Sequence, residues 1–118
     1  VEGNAMDKLF NPDVETFGQI GDVDVVTIGP YNVRVLVDAE GYHSGYDGGD
    51  HSTAFLELYV DGVLSKRVED WRFNTYNLRI RKRLWLERGS QIVLQVKGGN
   101  RGATTDSLGV RGRITPLG

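Results

Sequence analysis

An all-β fold, an antiparallel β-sandwich of jelly-roll-like type, is what this sequence predicts, and three observations predict it. Short apolar runs alternating with polar residues recur at the spacing of sandwich strands, seven or eight of them along the chain. No segment keeps a helical period for longer than a turn or two. The 16 glycines lie dispersed between the apolar runs, a pattern of many turns rather than long helices. A chain of 118 residues can bury a sizeable core as one domain, so residues 1–118 read as a single sandwich.

Taken in order, residues 1–21 show no clean period and read as an irregular arm with one short strand. Leu9, Phe10, Val14 and Phe17 are placed to cover a sheet edge. Asp22–Ile28 is rich in β-branched residues and bounded by Gly21 and Gly29-Pro30. From Tyr31 to Asp38 the chain alternates strictly, with Val33, Val35 and Val37 on one face. A long glycine-rich loop is then expected over Asp38–His51, followed by a strand at Ala54–Val60 with Leu56, Leu58 and Val60 inward. Asp61-Gly62 is the strongest hairpin signal in the chain, since both residues tolerate positive φ. Its partner strand, Val63–Trp71, reads as broken at Glu69-Asp70. Thr75–Ile80 places Tyr76, Leu78 and Ile80 inward, and an offset at Arg81–Arg83 before Leu84 and Leu86 suggests a bulge or a change of sheet. Gln91–Lys97 buries Ile92, Leu94 and Val96, and Ser107–Ile114 buries Leu108, Val110 and Ile114.

Composition narrows the function classes. With no cysteine there is neither a disulfide framework nor a thiolate metal site. No apolar run approaches the roughly 18 residues needed to cross a bilayer as a helix, so no membrane span is expected. No charged-then-apolar leader opens the chain. A start at Val1 and an end soon after the last strand suit a module cut from a larger polypeptide. The net charge of −2 hides an asymmetry: residues 1–50 carry two cations against ten acids (−8), and residues 51–118 carry twelve against six (+6). The basic half can serve anions, or it can face the acidic half.

Candidate chemistry concentrates in the Asp38–His51 stretch, because polar, ligand-rich segments held between strands usually carry function. It holds Asp38, Glu40, Asp47, Asp50, His43, His51, Tyr42 and Tyr46. Calcium takes about six to eight oxygen ligands. This stretch and the later loop containing Asn100, Thr104, Thr105, Asp106 and Ser107 offer such oxygens if they meet at one end of the sandwich. Two histidines eight apart are a weak zinc pattern. Tyr42 and Tyr46 are candidate stacking platforms for a sugar ring, as are Trp71, Phe73 and Tyr76, and Trp85 falls on the exposed side of its alternation. A basic run, Arg79, Arg81, Lys82, Arg83 and Arg88 with Lys66, Arg67 and Arg72 nearby, can grip an anionic polysaccharide or nucleic acid. More commonly such a run is a solvated outer face that protects a sheet edge. No nucleophile elbow, phosphate loop or HExxH motif appears, which points away from an enzyme.

Several segments resemble a known family. The strand LELYVDG (Leu56–Gly62), NTYNLRI (Asn74–Ile80), LERGSQIVLQV (Leu86–Val96) and DSLGVRGRI (Asp106–Ile114) occur in an order similar to that of the calcium-dependent carbohydrate-binding modules of families 36 and 60. These are β-sandwich xylan and galactan binders attached to secreted bacterial enzymes, and the likeness covers roughly residues 31–114. The resemblance implies a secreted or cell-surface bacterial location and a calcium ion that coordinates sugar hydroxyls directly. Asn100 matches the family's asparagine, Arg101 stands in place of its aspartate, and Asp106 and Leu108 keep an acid and a leucine around Ser107.

The expected function is therefore that of a non-catalytic carbohydrate-binding module, calcium-assisted, that takes a polysaccharide or oligosaccharide on loops at one end of the sandwich. Tyr42, His43, Tyr46, Asp47, Asp50 and Asn100 form the expected ligand-binding set, and Asp47, Asp50 and Asp106 the expected metal set. The alternative is a structural or protein-interaction accessory domain, with binding of an anionic polymer along Arg79–Arg88 as a third reading. Nucleic acid is not the expected partner.

Overall fold

The structure, a computed structural model, describes residues 15–17, 24–46, 52–72, 75–99 and 105–117. These residues form eight strands and no helix: β1 (Glu15–Phe17), β2 (Val25–Ile28), β3 (Val35–Tyr46), β4 (Ser52–Val60), β5 (Val63–Arg72), β6 (Thr75–Leu86), β7 (Ile92–Gly99) and β8 (Thr105–Pro116). Two antiparallel sheets result, ordered β1-β8-β3-β6 and β2-β7-β4-β5. Among the described strands only β4 and β5 are consecutive within one sheet. Every other connection crosses between sheets, which is the winding of a jelly roll.

The core lies between the two sheets and is built by alternation. Val35, Val37 and Ala39 of β3, Leu56 and Leu58 of β4, Tyr76, Leu78 and Ile80 of β6, Leu94 and Val96 of β7, and Val110 and Ile114 of β8 are all buried. Each set shares one parity along its strand, so the inner faces of both sheets meet as apolar surfaces. The Asp61-Gly62 hairpin forms as expected, with φ of 51° and 79°, the two positive values that a two-residue turn between twisted strands needs. Asp61 also ties this turn to the neighbouring strand: its N–H donates to the Val93 carbonyl at 2.8 Å, and its Oδ1 accepts from the Val93 N–H at 2.9 Å.

Three expectations are corrected. The stretch from Asp38 is not a loop as far as Tyr46; β3 continues through it, paired residue for residue with β6 on one side and β8 on the other. Gly41 misled because here it serves close packing rather than turning. A β-carbon on Gly41 would stand 2.9 Å from Val96 Cγ1 of the opposite sheet, so the inward side of β3 must be small at that point. Second, β5 runs unbroken through Glu69-Asp70, since it is the outermost strand of its sheet and tolerates polar residues on both faces. Third, β6 has neither bulge nor sheet change. Tyr76, Leu78, Ile80, Lys82, Leu84 and Leu86 all share the inward parity, and the partly buried Lys82 only interrupts the apolar series. An edge strand accepts this, because a lysine stem can pack while its ammonium reaches water. The irregularity lies instead between Leu58 and Tyr59, where β4 and β5 change register.

Candidate functional site

Register places the end of β3 beside the start of β8 at one end of the sandwich. Tyr46, the last residue of β3, pairs with Thr105 at the start of β8, and Gly45 pairs with Asp106. Segments 47–51 and 100–104 therefore leave and enter adjacent strands. Asp47, Asp50, His51 and Asn100 lie outside the described residues, as do the side chains of Tyr46 and Asp106. Among the described residues no group of three or more histidines or acids is placed to hold a metal ion.

His43 is not on a loop surface. It faces inward from β3 and is 1% exposed. Its Nδ1 lies 2.9 Å from the Phe55 carbonyl oxygen on β4, in the other sheet. A carbonyl only accepts, so Nδ1 carries the proton, and in the neutral ring Nε2 accepts from the Tyr76 hydroxyl at 3.2 Å. The Tyr76 ring also meets the imidazole edge to face at a centroid distance of 4.8 Å. Gly98 makes room for this arrangement, since a β-carbon there would stand 2.9 Å from His43 Nδ1. His43 is thus a polar tie between the sheets, and Tyr76 is part of the same buried pair rather than a sugar platform.

The outer face of the β8-β3-β6 sheet is where exposed functional groups gather. Alternation sends Asp38, Glu40 and Tyr42 of β3 outward, together with Arg79, Arg81, Arg83 and Trp85 of β6 and Arg111 and Arg113 of β8. The acids of the central strand are met by arginines from both flanks. Arg81 forks onto Asp38, Nε to Oδ1 at 3.1 Å and Nη2 to Oδ2 at 2.9 Å, and Arg83 Nε lies 3.4 Å from Oδ2. Glu40 Oε1 accepts from Arg111 Nη2 at 2.9 Å and from Arg79 Nη1 at 3.2 Å. Direct register sets Asp38 opposite Arg83 and Glu40 opposite Arg81, so Arg79 and Arg81 each reach diagonally by one row. The hydrogen bond from Arg81 is the main reason the Asp38 carboxyl is held below its ordinary range. Partial desolvation opposes this, and the nearby Arg81 and Arg83 charges add to it.

Aromatic rings sit within this lattice. The guanidinium carbons of Arg111 and Arg79 lie 4.8 Å and 5.7 Å from the Tyr42 ring centroid. At the other end of the face Trp85 is 53% exposed, with the Arg34 guanidinium 4.4 Å from its ring and Arg34 paired to Glu87 at 2.8 Å. Six residues separate the Tyr42 row from the Leu36–Trp85 row, a span of about 20 Å along the strand. Exposure of Trp85 agrees with its place in the alternation. Arg111 and Arg113 were legible only as the residues alternating with Val110 and Ile114. Arg67, grouped by sequence with the other basic residues, belongs to the opposite sheet, where it pairs with Glu57 and Glu69. The contrast between basic and acidic halves of the chain becomes contact in part: β3 supplies the acids, and β6 and β8 supply the arginines.

No known family model matches this chain, and no curated protein matches it significantly.

Proposed function

We propose that this β-sandwich is a non-catalytic carbohydrate-binding module that takes its glycan on the outer face of the β8-β3-β6 sheet. The observation that carries the reading is the exposed lattice of Asp38, Glu40, Arg79, Arg81 and Arg111, fixed by mutual ion pairs between Tyr42 and Trp85. Sugars are recognised by planar hydrogen-bonding groups held in place beside an exposed aromatic ring, and preorganisation lowers the ordering cost of binding. Arginine supplies donors in a rigid fork, and carboxylates accept from hydroxyls. Titration of the full chain with a panel of polysaccharides tests the reading. Binding that weakens in Trp85→Ala and Arg111→Gln, with folding intact, supports it; absence of binding to any glycan removes it.

A second reading, calcium-assisted binding at the end of the sandwich, draws its support from the pairing of Tyr46 with Thr105 and of Gly45 with Asp106. Asp47, Asp50 and Asp106 would be its ligands. An ion that binds only the folded state raises the melting temperature. A rise in millimolar calcium that is lost in Asp106→Asn supports this mode, and an unchanged melting temperature removes it.

A further inference from the structure

We propose that the ligand of the β8-β3-β6 face is a polyuronate, a polysaccharide bearing one carboxylate on each sugar; this rests on the glycan-binding reading above. Folding segregates charge that the sequence scatters. The outer face of this sheet carries five described arginines against Asp38 and Glu40, 5 − 2 = +3. The outer face of the opposite sheet carries Arg67 and Lys97 against Glu57 and Glu69, 2 − 2 = 0. The whole chain is at −2, so the positive face is not a reflection of overall composition. Nor is the surplus needed to satisfy the two acids. Asp38 already holds a bidentate fork from Arg81, and Glu40 is met by Arg79 and Arg111. Arg113, directly opposite Asp38, makes no ion pair among the described residues.

The geometry suits a linear polymer. Outward residues recur about every 6.6 Å along a strand, and β6 and β8 flank β3 at about 4.8 Å on either side. The two arginine-bearing strands thus run roughly 10 Å apart on either side of β3, and Arg79 and Arg111 lean in from them onto Glu40. A chain laid along β3 meets cations on both sides. Its planar carboxylates match the guanidinium fork, and its hydroxyls donate to Asp38 and Glu40. A nucleic-acid backbone presents phosphate oxygens, which only accept and are repelled by those two carboxylates. A densely sulfated chain suffers the same repulsion with more charge per unit length. One carboxylate per sugar, with hydroxyl donors left over, fits a face that mixes both signs.

The test measures the affinity of the full chain for polygalacturonate, neutral galactan, heparin and single-stranded DNA, at low and physiological salt. Polygalacturonate is expected to bind tightest and to weaken as salt rises. The double variant Arg83→Gln/Arg113→Gln is expected to lose at least about tenfold in affinity, the scale of one or two charge-assisted hydrogen bonds. Both side chains are exposed, so its melting temperature should stay close to that of the wild type. Equal binding of galactan, or an unaffected double variant, overturns the polyuronate proposal while leaving glycan binding in place. Tighter binding of heparin or DNA also overturns it, in favour of that polymer. If no glycan binds, the underlying reading falls as well.

Discussion

Tyr42 on β3 lies against Gly109, its direct partner on β8. A β-carbon on that glycine would stand 2.6 Å from the tyrosine hydroxyl oxygen and 2.8 Å from Cζ. The other sheet repeats the relationship, with Phe55 of β4 over its partner Gly99 of β7. Glycine inside a strand weakens it, but here each lets an aromatic ring fold down across the neighbouring strand. On the arginine face this sets where the Tyr42 ring sits between Arg79 and Arg111.

Gly109→Ala should therefore move Tyr42 more than it destabilises the protein. The clash falls on the outer end of a half-buried side chain, and alanine is better than glycine in a strand by about 0.5–1 kcal/mol. A net stability change within about 1 kcal/mol is expected, with a displaced Tyr42 resonance and weaker glycan binding. Unperturbed chemical shifts around Tyr42 would contradict the contact.

Gly41→Ala should behave differently. The added methyl meets the buried Val96 side chain between the sheets, where nothing can swing into solvent. Overpacking of this kind costs about 1–3 kcal/mol. Urea denaturation should show a lower midpoint with an unchanged m-value.

Tyr76→Phe removes one hydroxyl from the buried pair with His43, at a cost of about 0.5–1.5 kcal/mol. His43→Leu removes that bond and the inter-sheet bond to Phe55 together, and should cost more, about 1–3 kcal/mol. The double variant should be less destabilised than the sum, because both single changes delete the same hydrogen bond. Strict additivity would show that the bond contributes nothing.

Asp38 should give a pH-dependent contribution of known sign. Its folded pKa lies below the unfolded value of about 4, so the folded state favours the charged carboxylate. That contribution is fully present above the unfolded pKa and is lost as pH falls through the folded one. The wild type should therefore exceed Asp38→Asn in melting temperature at neutral pH, and the gap should close in the acid range. The pair is largely solvated, so the gap should be small and should shrink further in about 1 M salt. A gap that widens on acidification would rule out this role.

Alternation and turn chemistry were enough to read the sandwich from the sequence. Val35 and Val37, Leu56 and Leu58, and Ile92, Leu94 and Val96 declare their buried faces by period alone, and Asp61-Gly62 declares its hairpin. These features are local, decided by residues one or two apart. Glycine and histidine in β3 were misread for the same reason. A glycine looks like a turn until the strand that presses on it is known, and only Val96, from the opposite sheet, explains Gly41. His43 looks like an exposed ligand until Phe55 and Tyr76 close around it. The candidate site was readable only in pieces, as acids in one half of the chain and arginines in the other. Residues more than forty positions apart, such as Asp38 and Arg81, become neighbours only through strand order and register. The tertiary structure therefore decided that the arginines, two acids and two aromatic rings share one solvent-facing surface, because sheet pairing brings together side chains that no local pattern links.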